Sequence, residues 1–396
     1  MAEAKGPWPV RYACWLPGEK FGGCEAYALS VAERALARGW QVTVLCQHRR
    51  CADEVRARLP AARTIGFARP GWPGGLPGRE RFLGWWETMR CLLYLAVHRP
   101  TVLHLVLPWH IHSLGCLRAA TGMRQRTVVT LQLVAAGHPP TPAYRAGYRR
   151  AHAAGVRFCA ISEDNRRLLA AYYGFAPETI ALVPNRPWIS PAGGADPERR
   201  RQTRDRLAIE PRDRVMLTVG QLHWQKGHDL IVRGMPEIIR RFPEVKFVWA
   251  GEGAERARLE EAAARAGVGA RLMILGWRED VADLLAAADG FLFPSRFEGE
   301  SFALMEAVAA GVPVVAAAAS GIPELLRDGE EARLFPVEDV AGLVAGVTDV
   351  LADPAAAAER ARRACARLGQ YTHEHMLEDT LALLRNTART PVRAGD

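Results

Sequence analysis

The sequence predicts an α/β protein of two doubly wound units, each built on a mostly parallel sheet, facing a central cleft. Apolar runs of strand length alternate with helix-spaced stretches from Val10 to Ile161, and the same alternation restarts at Val215. Between them Pro184, Pro187, Pro191, Gly193, Gly194, Pro197 and Pro211 interrupt the pattern, a composition that suits a linker. The chain has 396 residues, enough for two or three domains at roughly 100–200 residues each.

Each element follows from local pattern. Val10–Leu16 is a short apolar run, Pro17–Gly23 a turn-rich loop, and Cys24–Arg38 an apolar-periodic helix that stops at Gly39. Trp40–Cys46, Thr101–Leu107, Thr127–Val134 and Val156–Ile161 read as strands, and Ser162 before Glu163 and Asp164 reads as a helix N-cap. In the second half the strands are Val215–Val219, Lys246–Ala250, Arg271–Leu275, Gly290–Phe293 and Val312–Ala316. Helices are expected near Asp229–Phe242, Arg256–Ala266 and Val281–Ala288, from about Ser301, and through an Ala-rich tail after about Asp339. Ligands of such sheets sit outside the carboxyl ends of the strands, so the loops there are the places to search.

Composition narrows the class. Hydrophobic residues at 49% and charged residues at 24% are ordinary globular values. Met1–Pro9 has no apolar run and no segment reaches the ~18 apolar residues of a membrane span. The eight cysteines are scattered without a CxxC pair, which suits a reducing, cytoplasmic setting. Charge is asymmetric: residues 1–185 hold 24 Lys and Arg against 11 Asp and Glu, while residues 186–396 hold 28 against 32. The first half is therefore expected to face something anionic, or to carry a solvated Arg-rich surface.

The richest segment is Phe293-Pro-Ser-Arg-Phe-Glu298-Gly-Glu-Ser-Phe-Ala-Leu-Met-Glu306. A strand ends, a Gly-containing turn follows, and Ser301 is placed to cap a helix whose free N–H groups can hold a diphosphate. Glu306 lies about 7.5 Å into that helix at 1.5 Å per residue, so a phosphate over the helix start has a carboxylate on either side. The alternative is a surface turn with two incidental glutamates. Together with the following Ala307-x-Ala-x-Gly-x-Pro-Val-Val, this Glu-x7-Glu segment resembles the signature of family 4 glycosyltransferases, the "glycosyl transferases group 1" of GT-B architecture, with two Rossmann-like domains.

The resemblance implies that Glu298 contacts the donor sugar and Glu306 the nucleotide ribose, with Gly299, Glu300, Ser301 and Phe302 lining sugar and diphosphate. Val219-Gly220-Gln221-Leu222-His223-Trp224-Gln225-Lys226-Gly227 is similar to the family's Gly-Arg-Leu-x-x-x-Lys-Gly loop. Lys226 there is expected to stabilise the charge that builds as the sugar leaves; Gln221 replaces the family's arginine, and His223 or another basic residue is the candidate substitute. Gly22-Gly23-Cys24-Glu25 resembles the Gly-Gly-x-Glu loop that borders donor phosphates and acceptor. Gln132 stands where the family has a histidine near the sugar, and it joins Lys226 and Glu298 as a catalytic candidate. His104 and His110 are acceptor-side candidates, and Arg278 lies in the loop whose backbone reads the base. Smaller matches are Ala250-Gly-Glu-Gly253, Ser320-Gly-Ile-Pro-Glu324 and Val183-Pro-Asn185; Tyr371–Leu384 resembles a final helix crossing back to the first domain.

The expected division is an acceptor-side domain at 1–185, a linker at 186–212, a nucleotide-sugar domain at 213–370 and a crossing helix at 371–396. The function implied is retaining transfer of a sugar from a nucleotide-diphosphate sugar, UDP ahead of GDP, to a saccharide, lipid-linked or small-molecule acceptor, with domain closure excluding water. No metal or other cofactor is expected, since no Asp-x-Asp motif accompanies the site. A sugar-nucleotide epimerase of related fold and a basic nucleic-acid-binding protein are the rival readings. The Glu-x7-Glu segment speaks against the first, and the lack of a nucleic-acid motif against the second. Gly251-x-Gly253 lacks the third glycine of a dinucleotide fingerprint, Arg256 standing there. Gly66–His98, with Trp72, Arg79, Arg81, Trp85, Trp86 and Arg90, suits peripheral contact with an anionic membrane at its inner face, or an acceptor surface, against a partly buried helix.

Overall fold

The structure, a computed structural model, describes residues 10–19, 21–67, 79–186, 196–299 and 301–390. It divides into two compact units, 1–185 with 374–396, and 186–373.

The first unit contains β1 (Arg11–Leu16), α1 (Gly23–Ala37), β2 (Gln41–Cys46), α2 (Arg49–Arg58), β3 (Arg63–Gly66), α3 (Arg79–His98), β4 (Val102–Leu107), α4 (Leu114–Gly122), β5 (Thr127–Leu131), α5 (Pro142–Ala153), β6 (Arg157–Ala160), α6 (Glu163–Tyr173) and β7 (Ala181–Leu182). Its seven strands are all parallel, in the order β3-β2-β1-β4-β5-β6-β7. The order in which strands are added reverses between β1 and β4, which pair in parallel like the rest. Strands β1, β4 and β5 are apolar almost throughout because helices cover both faces, and Trp15, Leu105, Val129 and Phe158 are fully buried. Ser162 caps α6 as expected, its hydroxyl accepting the Asn165 N–H at 3.1 Å. β5 ends at Leu131, short of the expected Val134, because the Val134 N–H leaves the ladder to bond the Asn165 side chain at 3.2 Å.

The second unit contains α7 (Pro197–Arg206), β8 (Arg214–Val219), α8 (His228–Arg241), β9 (Val245–Ala250), α9 (Arg256–Arg265), β10 (Leu272–Ile274), α10 (Val281–Ala287), β11 (Gly290–Phe293), α11 (Phe302–Ala309), β12 (Val314–Ala317), α12 (Ile322–Leu325), β13 (Arg333–Phe335), α13 (Val340–Ala352) and α14 (Pro354–Leu368). Its parallel sheet runs β10-β9-β8-β11-β12-β13 around a core that includes Trp249, Phe247, Phe291 and Leu304.

The described residues 196–212, expected within the linker, fold with this unit rather than as a free-standing connection. α7 forms there because Asp196 caps it, accepting from the Glu198 and Arg199 N–H groups, with Pro197 at the first helical position. Arg200 then ties α7 down, bonding the Ala288 carbonyl and the Asp289 carboxylate at 2.8 and 2.7 Å. The last helix, α15 (His373–Arg389), runs from Glu374 with the first unit. Tyr27 and Thr380 hydroxyls meet at 3.2 Å, and Arg34 pairs with Glu374 while Arg38 pairs with Glu378. No single helix among the described residues is long and apolar enough to cross a membrane.

Candidate functional site

The loops that follow β8, β9, β10 and β11 are pinned backbone to backbone. A Cβ on Gly253 would lie 2.1 Å from the Leu222 carbonyl, and Gly251 N–H bonds the Gly276 carbonyl at 2.8 Å. These contacts give the Ala250-Gly-Glu-Gly253 and Gly276 turns their physical reason. Between β8 and α8 the chain makes one 3-10 turn, Trp224–Lys226, closed by Gly227 at φ 69°. His223 caps that turn, its Nδ1 accepting the Gln225 N–H at 3.3 Å, so the residue that sequence offered in place of the missing arginine has a structural duty. Gln221 is exposed. Gly227 has no alternative, because a Cβ there would sit 2.1 Å from the Pro294 carbonyl in the β11–α11 loop. Gly227→Ala is therefore expected to cost at least about 2 kcal/mol, from the left-handed backbone and the clash together. A thermal unfolding scan checks this, and an unchanged Tm would refute it.

That turn delivers Lys226 onto the β11–α11 loop. Its Nζ lies 2.5 Å from Glu298 Oε1 and 5.5 Å from the centre of the Phe293 ring. The Glu298 side chain is 7% exposed against 21% for Lys226, so the carboxylate is covered and the ammonium partly open. The Glu298 N–H is held in turn by the Ser320 hydroxyl at 3.2 Å, and Ser320 itself sits at φ 48°. Underneath, Arg296 grips Asp229 with two bonds of 2.8 Å, pairs with Glu338, bonds the Trp224 carbonyl at 2.6 Å and stacks on the Trp224 ring at 4.8 Å. Those carboxylates push the Arg296 guanidinium further up, and Arg296 in return holds Asp229 below the usual carboxylate range against the burial that would raise it. Gln225 Nε2 adds a bond to the Phe297 carbonyl at 2.9 Å. Arg296, Asp229 and Ser320 thus fix the geometry of the Lys226–Glu298 pair. Sequence offers Ser320 only as the head of the Ser320–Glu324 match and points to neither Arg296 nor Asp229, since an Arg and an Asp 67 residues apart show no spacing pattern.

α11 begins at Phe302 with Ser301 in the N-cap position, as expected, but the Ser301 hydroxyl makes no capping bond. Among the described residues no side chain caps the helix start, which leaves its first N–H groups open to an anion. Gly299 precedes it and Glu300 lies outside the described residues. Glu306, one turn into the helix, is half-buried, has no hydrogen-bond or ion partner among the described residues, and is raised above the usual carboxylate range by burial. The helix end therefore has a cation–carboxylate pair before it and an unpartnered carboxylate beyond it.

Arg278 lies in the β10–α10 loop with its guanidinium bonded twice to Asp280, at 2.7 and 2.6 Å. Trp277 beside it is 72% exposed.

The first-unit candidates fare differently. Gly22 and Gly23 are exposed at the start of α1, where the Gly22 N–H bonds Glu25 Oε2 at 3.0 Å. Glu25 is buried and raised by that burial, so it serves the turn. Gln132, at the end of β5, accepts from Asn185 Nδ2 at 2.6 Å, while its own Nε2 is buried without a partner among the described residues. His104 is a correction: it is wholly buried in β4, between the Tyr12 hydroxyl at 2.9 Å and the Thr130 hydroxyl at 2.8 Å, and burial drives its pKa down to about 3. His110 is likewise interior, bonding the His138 carbonyl at 3.1 Å with a pKa lowered to about 4 by burial. Neither imidazole presents an edge to an acceptor. Among the described residues no three His, Cys, Asp or Glu side chains converge on a common metal position.

Residues 199–373 match the model for glycosyl transferases group 1, and residues 21–185 match that for glycosyltransferase family 4. A lipopolysaccharide core biosynthesis glycosyltransferase of Rhizobium meliloti is 30% identical over 43% of this chain. A GDP-mannose-dependent phosphatidylinositol monomannoside mannosyltransferase of Mycolicibacterium smegmatis is 33% identical over 41% of it. The matches span 49% and 45% of those relatives' own lengths, about half. A D-inositol 3-phosphate glycosyltransferase of Rhodococcus jostii is 28% identical over 92% of this chain and 84% of its own. Among solved structures, Anabaena HepE in complex with UDP and glucose superposes with a TM-score of 0.80 at 18% identity, covering 96% of this chain and all of that one. At that identity the likeness shows the fold, and the fold is GT-B.

Proposed function

The chain belongs to the family 4 glycosyltransferases, the glycosyl transferases of group 1, and from that premise we propose that it transfers a sugar, with retention, from a nucleotide-diphosphate sugar held by its second unit. The carrying observation is the uncapped start of α11, with the Lys226–Glu298 pair before it and the unpartnered Glu306 beyond it. The diphosphate rests on the helix N–H groups and meets the Lys226 ammonium. Glu306 accepts hydrogen bonds from the ribose hydroxyls, and its lack of a side-chain partner among the described residues leaves its oxygens for that task. Glu298 faces the sugar; bound by Lys226 through its side chain and by Ser320 through its backbone, it is held as a recognition group.

In the reaction the bond from the anomeric carbon to the phosphate oxygen breaks, an acceptor hydroxyl oxygen takes its place, and that hydroxyl's proton passes to the departing phosphate. Charge grows on the phosphate as the bond lengthens, so a fixed cation and aligned N–H dipoles favour the transition state over the bound donor. No metal is required in this reading, because those groups supply the positive charge. Gln132 lies among the acceptor-side groups, where its unpartnered Nε2 has a proton to donate.

A UDP-sugar is the proposed donor ahead of a GDP-sugar, in keeping with the UDP and glucose in the HepE structure. The mannosyltransferase relative, whose name specifies GDP-mannose, makes GDP the comparison that decides. Calorimetric titration with UDP, GDP and their sugars is expected to give UDP a Kd at least ~10-fold tighter, a difference of about 1.4 kcal/mol. A tighter GDP would reverse the donor assignment, and binding of neither would remove the donor site from α11.

A further inference from the structure

α3 has two faces of opposite character. Its inner face is fixed by a close crossing with α4: a Cβ on Gly115 would lie 2.7 Å from the Gly84 carbonyl, and buried Glu87 accepts the Gly115 N–H at 3.1 Å. Cys91, Tyr94 and Leu95 consequently enter the core of the first unit. On the other side Trp85, Met89, Leu93 and Val97 follow one another at four-residue intervals and are 55%, 43%, 67% and 66% exposed. They form an apolar line of about 18 Å at 1.5 Å per residue. Eight large hydrophobic side chains are exposed among the described residues, and half of them are in this one line. Chance scatter does not place them so; contiguous exposed apolar surface marks a contact.

A second observation says what kind. From Thr88 to Ser162 the chain has nine arginines and not one Asp or Glu. This span includes most of α3 and all of α4 and α5, which pack successively beside it. Arg118 and Arg124 on and after α4, and Arg145 and Arg150 on α5, are exposed. A second copy of this chain laid on the same face would oppose arginines with arginines. Nucleic acid would meet the charge but not the aliphatic line. An extended surface that is anionic outside and apolar beneath satisfies both.

We propose that this face docks the first unit onto an anionic phospholipid bilayer, with Trp85, Met89, Leu93 and Val97 entering the boundary between headgroups and acyl chains while the arginines of α4 and α5 meet lipid phosphates. The docking is independent of the donor assignment at α11. It is tested by floating the full chain with vesicles of phosphatidylcholine alone and of phosphatidylcholine mixed with phosphatidylglycerol. The unaltered protein is expected to bind the mixed vesicles at least ~10-fold better, and to be released as salt rises and screens the lipid charge. Leu93→Glu combined with Val97→Glu is expected to lower binding to mixed vesicles by ~10-fold or more. Both side chains are exposed, so the Tm should hold. Arg145→Glu with Arg150→Glu should narrow the difference between the two vesicle types. Failure of the unaltered chain to float with mixed vesicles overturns the proposal, as does equal flotation of the Leu93→Glu, Val97→Glu chain. So does a dimer that those two substitutions dissolve while vesicle binding is untouched, for the face would then belong to a second copy.

Discussion

Lys226→Ala is expected to lower turnover of the nucleotide sugar by ~100- to 1000-fold in a protein that still folds, the range found when a group aimed at developing charge is removed. The chain supports the choice compositionally as well as geometrically. It has 48 arginines and only four lysines, so a lysine at this turn stands out against a strong arginine bias. A compact ammonium on a flexible stem can follow a phosphate as its charge grows, where a planar guanidinium would demand one fixed geometry. Two effects of the substitution must be separated. Removing the ammonium also strands Glu298, whose side chain is 7% exposed, and an unpaired covered carboxylate costs about 1–3 kcal/mol here, less than at a fully buried pair. Lys226→Ala should thus lower the Tm and the rate together, whereas Lys226→Ala with Glu298→Gln should recover much of the Tm and none of the rate. Turnover is measured well below both melting points. A folded Lys226→Ala chain turning over near the normal rate would take Lys226 out of the mechanism and leave it a structural partner of Glu298.

How far the sequence reached depends on what kind of interaction built each feature. Strands with continuous apolar runs, such as Gly290–Phe293, were read to the residue, since burial on both faces leaves no polar interruption to misplace an edge. α7 was hidden because its composition, Pro197-Glu-Arg-Arg-Arg-Gln, is almost wholly polar, and a helix held by a cap and by Arg200 to Asp289 carries no apolar period. Glu298, Glu306 and Lys226 stand out as candidates through local spacing around strand ends together with the family resemblance. The supports of that pair do not, because Arg296 meets Asp229, and Glu298 meets Ser320, only once the sheet brings distant loops together. The two histidines show the reverse error. A histidine inside an apolar strand looks chemical in sequence, but the Tyr12 and Thr130 hydroxyls that satisfy His104 come from neighbouring strands. The apolar line on α3 was also only half visible: sequence pointed to Trp85 and Trp86 together, while the structure turns Trp86 toward Arg90 at 4.4 Å and aligns Trp85 with Met89, Leu93 and Val97.

Glu306→Gln is expected to move binding and stability in opposite directions. A carboxylate accepting from ribose hydroxyls contributes charge-assisted bonds of about 1.5–3 kcal/mol, so the neutral amide should weaken nucleotide-diphosphate affinity by ~10- to 100-fold in calorimetry. In the empty protein the sign reverses. Burial raises the Glu306 pKa, so the folded chain holds this proton more tightly than the unfolded chain does. The stability linked to that proton is fully present below the unfolded value, about 4.3, and is lost as the pH climbs through the raised folded value. At pH 7–8 the unaltered protein therefore keeps a desolvated charge that glutamine lacks, and the Glu306→Gln chain should melt at a higher temperature. The gap should shrink as the pH falls toward 4, and saturating nucleotide should shrink it at neutral pH by stabilising the unaltered chain more. A merely structural glutamate, bonded within the fold, would lose stability on the same substitution. Unchanged affinity for every nucleotide tried, in a chain whose Tm has risen, would show that Glu306 is strained for some other purpose and that the ribose lies elsewhere.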